Sequence, residues 1–92
     1  MNETFLKSID ALVASGDFQG AINQLSDAIS ATPDNDRLYL IRGKLFWRIG
    51  ERYKATSDYS TAVHLNPESP ARHLLEMAHN VADFFNPDLL NP

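Results

Sequence analysis

The chain has 92 residues, 43% of them hydrophobic and 22% charged, with a formal net charge of −4. That length suits one small domain, and the absence of cysteine excludes disulfide frameworks and thiolate metal sites, so the fold rests on packing. The negative charge weighs against nucleic acid as a partner, and no run approaches the ~18 apolar residues of a membrane span.

The first ten residues, MNETFLKSID, lack a basic stretch followed by a long apolar run. This is unlike a secretory signal and gives the expectation of a cytoplasmic protein. Apolar residues at helical spacing then mark two segments, 3–15 and 18–31. Gly16 lies between them, where a residue free to take positive φ ends the first helix. Asp17 opens the second helix, where a negative charge suits the positive helix end. Pro33 stops it, because the residue before a proline is pushed out of the helical region.

The next segment repeats this pattern 34 residues later without a gap. Phe5 falls on Tyr39, Leu12 on Phe46, Gly16 on Gly50 and Asp17 on Glu51. Further on, Ala21 falls on Ala55, Leu25 on Tyr59, Ala28 on Ala62 and Pro33 on Pro67. Each unit reads as a helical hairpin. The alanines are small where two helices must come close.

This 34-residue pattern resembles the tetratricopeptide repeat. The second unit carries most of the motif: Tyr39, Gly43, Phe46, Gly50, Ala55, Tyr59, Ala62 and Pro67, with Arg42 where the family has leucine. The first unit carries Phe5, Leu12, Gly16, Ala21, Ala28 and Pro33, with Leu25 replacing an aromatic and Ile9 standing where Gly43 stands. Ile9 is expected to splay the first hairpin. Gly43, which costs about 1 kcal/mol of helix propensity relative to Ala, is expected to pack closely against Ala55.

After Pro67, Ser69 suits an N-cap and Pro70 the first helical position. A fifth helix follows, ending near Phe85 before Pro87. Ala71, Leu74, Leu75, Ala78, Val81, Ala82 and Phe85 form its apolar face; Arg72, His73, Glu76, His79, Asn80 and Asp83 form the other. It reads as a capping helix, since a solenoid must end on a polar outer side. The apolar face, with Leu74, Leu75, Ala78, Val81 and Phe85 as candidate interface residues, has three possible covers: the second hairpin, a second copy of the chain in a homodimer, or the tail. That tail, FFNPDLLNP, spans 84–92 and is too apolar for an ordinary disordered end.

The fold expected is therefore all-α: a right-handed solenoid of helical hairpins with five helices and a short extended tail. Residues 1–35 and 36–69 are the two repeats, 70–85 the capping helix and 86–92 the tail. The resemblance implies that the first helix of each hairpin lines a concave groove. Carried over by position, that groove holds Leu6, Lys7 and Asp10, then Arg37, Leu40, Ile41, Lys44, Trp47 and Arg48. The three bases share one helix side and, beside Trp47 and Ile41, would favour a peptide with one apolar side chain and one carboxylate. The alternative is that Trp47 is ordinary core and the bases are solvated. The family's chaperone-binding carboxylate clamp is absent, because its positions hold Leu6, Asp10, Ile41, Ala71 and Leu75. Chaperone C-terminal tails are accordingly not expected as partners.

No nucleophile elbow, phosphate-binding glycine loop or other catalytic constellation is present. His73 and His79 are six residues apart, about 240° around a helix, and do not converge on a metal. No enzyme and no cofactor are expected. Two readings stay open: an adaptor that binds a protein or peptide in its groove and can self-associate, or a self-capped structural solenoid. In the second, the tail fills the groove and partners meet the convex side.

Overall fold

The computed structural model describes residues 2–84, with side chains over 2–80. Five helices follow one another: α1 Glu3–Ala14, α2 Phe18–Ala31, α3 Asp36–Arg48, α4 Arg52–Leu65 and α5 Ala71–Phe84. No strand occurs among the described residues. The expectations placed on Phe85 and on the tail, 86–92, lie outside them.

The helix ends are written locally. Asn2 Oδ1 accepts the Phe5 N–H at 2.7 Å, and Asp17 Oδ1 accepts the Gly20 N–H at 2.9 Å. At the start of α5, the buried Ser69 hydroxyl oxygen accepts the Ala71 N–H at 3.1 Å. Gly16 and Gly50 both have φ +84°, the left-handed region that glycine enters without strain. The Asp17 N–H then reaches the Leu12 carbonyl at 2.8 Å, and the Glu51 N–H reaches that of Phe46 at 2.9 Å. Both turns are thus the same Schellman closure, repeated 34 residues apart. One detail departs from the symmetry. Glu51 begins α4 but its longer side chain makes no capping bond.

Packing runs between neighbours in sequence, with α1 on α2, α2 on α3, α3 on α4 and α4 on α5. One core cluster joins the first hairpin to α3 through Ile9, Ala21, Ile22, Leu25, Ile29, Leu38 and Leu45. A second joins α3, α4 and α5 through Leu40, Ala55, Tyr59, Ala62 and Ala71. Tyr39 and Phe46 touch both clusters. The Tyr39 hydroxyl also donates to the Pro33 carbonyl at 2.8 Å, pinning α3 to the turn before it.

Gly43 is needed for a close approach, and the group nearest to it is Tyr59 and not Ala55. A Cβ at Gly43 would lie 2.7 Å from Tyr59 Cε1 and 3.2 Å from Asp58 Cβ. The aromatic ring of Tyr59, four residues beyond Ala55, is what the missing side chain admits. At the matching place in the first hairpin Ile9 is buried, and the backbones of α1 and α2 run further apart than those of α3 and α4. Helix α5 turns part of its apolar face onto the second hairpin: Ala71 and Ala78 are buried, and Leu74 and Leu75 are half-buried against it.

Candidate functional site

The first-helix residues do not form one continuous surface. Leu40 is only 8% exposed and packs with Ala55, Tyr59, Ala62 and Ala71, so it belongs to the core and not to a groove. Ile41 is half-buried against the other cluster. Ala78, expected as an interface residue, is buried within the chain. Val81 lies in α5, and its side chain is outside the described set.

What remains accessible is charged. On α1, Leu6 is half-buried and Asp10 exposed, while Lys7 meets Glu3 one turn away at 3.7 Å, an exposed pair of small worth. On α3, Arg37, Lys44 and Arg48 are all exposed. Among the described residues none of these three is in an ion pair with a carboxylate.

Aromatic rings order two of the bases near the α3–α4 turn. The Arg48 guanidinium lies 4.8 Å from the centre of the Phe18 ring, and that of Arg52 lies 5.2 Å from Trp47. A stacked guanidinium loses rotamer freedom but keeps its N–H edge for a carboxylate, which it can grip with two bonds. Tyr53 beside them is 93% exposed. The sequence reading missed Phe18 and Arg52 because they sit on second helices; they come to the bases only through the tight Gly16 and Gly50 turns.

Trp47 is half-buried and forms one wall of a pocket of ≈ 140 Å³. Tyr59, Leu74, Met77 and Ala78 complete it. An apolar pocket thus adjoins a row of bases. A second cleft, of ≈ 270 Å³, lies at the other end between Asn2, Phe5, Ala28, Thr32, Asn35 and Leu38, and holds no charged group.

The most buried charges were also missed. Arg42 replaces the expected leucine, and its guanidinium donates to both oxygens of Asp58, at 2.8 and 2.7 Å, and to the Ser26 hydroxyl at 3.1 Å. Its face also lies over the Tyr39 and Phe46 rings. This links α2, α3 and α4. The bond to Asp58 and the charge there raise the Arg42 pKa against the opposing cost of burial, so it stays cationic. The sequence signal was the co-occurrence of an unexpected Arg and an Asp sixteen residues apart, one on each helix of a hairpin.

Comparison with known proteins agrees with this architecture. The family model described as TPR repeat matches residues 10–50. Among solved structures, the chain is similar to Bacteroides fragilis protein BF1650, solved by solution NMR, at 32% identity and a TM-score of 0.81. The match covers 99% of this chain and 91% of that one.

Proposed function

Because this chain belongs to the tetratricopeptide repeat family, whose members are generally protein-interaction modules, we propose that it binds a peptide segment of a partner along α3. Residues 1–35 and 36–69 act as the two repeats and 70–85 as the closing helix. The partner presents an apolar side chain to the Trp47 pocket and a carboxylate to Lys44 and Arg48, with Arg37 further along the helix. The observation that supports this most is the apolar pocket lined by Trp47, set beside bases that lack an acidic partner among the described residues. Leu6, Lys7 and Asp10 flank this surface, and Asp10 repels acidic segments that shift toward α1. The reading assigns no catalysis and no cofactor. It places the protein in the cytoplasm, which fits a chain without cysteine.

The test is selection of eight-residue peptides from a random library on the full chain, with binding then read from Trp47, the single tryptophan. The expected peptides pair Asp or Glu with Leu, Phe or Met, and they lose roughly tenfold in affinity to Arg48→Glu or Lys44→Glu, as attraction turns to repulsion. Selection of neutral or basic peptides, or affinities that ignore both substitutions, overturns the proposal. If Trp47 is shielded in the full chain and becomes quenchable when residues 85–92 are removed, the structural reading replaces it. Partners would then meet the convex side.

A further inference from the structure

A side-chain bond recurs in both hairpins at one register. Ser8 of α1 donates to Gln24 Oε1 of α2 at 3.0 Å. Thirty-four residues on, Arg42 of α3 donates to Asp58 of α4. Each time the first helix holds the donor and the second holds the acceptor, sixteen residues later. Helix α5 continues the register, and Glu76 occupies the place of Ser8 and Arg42. Here the first-helix group is an acceptor, so the chemistry calls for a donor opposite it.

The residue after it follows the same rule. Ile9, Gly43 and Met77 are spaced by 34. Ile9 is 3% exposed within the cluster that α2 completes, and Gly43 is buried against α4. Met77 is 50% exposed, and His73, Glu76 and Asn80 around it are exposed too. A purely closing helix would show only polar groups here. Residues 85–92 are poorly suited to supply the facing helix: in the 34-residue register it would begin at position 86, and the residue sixteen beyond Glu76, inside that helix, is Pro92.

We propose that the open face of α5 around Glu76 and Met77 binds an amphipathic helix of a partner protein, which brings an arginine or lysine to Glu76 and lays apolar side chains over Met77. The bound helix takes the place that α2 and α4 hold in the two hairpins. The charge of Glu76 selects the cation, and the apolar Met77 selects the apolar stripe. This surface meets the Trp47 pocket at Met77, while Glu76, His73 and Asn80 lie outside that pocket's lining, so the response of Glu76 distinguishes the two.

The probe is a synthetic peptide with the sequence of residues 17–33 and the change Gln24→Arg. It is α2 with its own Asp17 cap, a helix that already covers a large apolar residue at this register. It is titrated into the full chain with isotope-labelled methionine methyls and amides. The expected result is saturable shifts at Met77, Glu76 and Asn80. Glu76→Lys should weaken binding roughly tenfold, as an attraction becomes a repulsion of similar size. The same peptide carrying Gln24→Glu should then bind Glu76→Lys better than it binds the parent chain. Both residues are exposed, so an unchanged melting curve will show that the variant folds. No saturable shift, shifts confined to Trp47 and Arg48, or affinity blind to the charge exchange overturns the proposal. So does a chain that self-associates with Met77 buried between copies.

Discussion

Arg42 stands where the repeat pattern would bury a leucine, and it is tolerated because Asp58, Ser26 and the Tyr39 and Phe46 rings meet it. Its side chain keeps 20% exposure, while that of Asp58 keeps 6%. Removing the cation therefore strands a carboxylate in the interior. Arg42→Ala should cost about 3 kcal/mol in chemical denaturation, the low end of the ~3–5 kcal/mol range because the arginine partly reaches water. Arg42→Leu combined with Asp58→Ala should cost far less than the two single changes summed, since no lone charge is left. A sum that is simply additive would show that the pair is not coupled. Next to Asp58, the Tyr59 phenol has its pKa raised above 10.0, first by burial and then by that carboxylate's charge. The folded state thus holds the proton more tightly than the unfolded chain. The associated stability is complete below pH 10 and is lost as pH rises through the folded value. Denaturation midpoints between pH 8 and 11.5 should fall less steeply for Tyr59→Phe than for the parent. These side chains were the least legible in the sequence. Spacing told which residues share a helix face, but not that Asp58 faces Arg42, nor that the space left by Gly43 is filled by Tyr59 and not by Ala55.

Helix boundaries were the most legible feature, because they depend on one or two residues. The glycine turns, the proline stops and the Ser69 cap all follow from local backbone chemistry that needs no knowledge of neighbours. The exception is instructive. Asp17 and Glu51 hold the same place, yet only the shorter Asp17 side chain makes the capping bond. Glu51→Asp should therefore stabilise the protein, by about 0.5–1 kcal/mol, seen as a higher denaturation midpoint with an unchanged slope. No gain would mean that the α4 end is already satisfied by other means. The candidate site divides along the same line. Placing Trp47, Lys44 and Arg48 on one helix was possible from periodicity. The burial of Leu40 was not, because it depends on how α5 settles over α3 and α4.

At the scale of the molecule, the five helices form a row in which α2, α3 and α4 each have neighbours on both sides. Helix α1 has one, and Ile9 is its single buried residue, whereas α3 buries Leu38, Leu40, Gly43 and Leu45. Amide hydrogen exchange should follow that order, with α1 opening at a lower free energy than α3 and α4. Equal protection in α1 and α3 would mean that the row opens as one unit. The row itself was legible because a repeat at a fixed period states its own architecture. The packing, which runs chiefly between sequence neighbours, also bears on time. Among the described residues the longest-range side-chain hydrogen bond, Asn66 to Asp36, spans 30 positions. No distant segment has to be awaited, which places folding in roughly the microsecond-to-millisecond range. A ribosome adding ~5–20 residues per second needs seconds for each hairpin. The chain can therefore be assembled in the order it is made, each hairpin settling onto the one before while the next is still being translated.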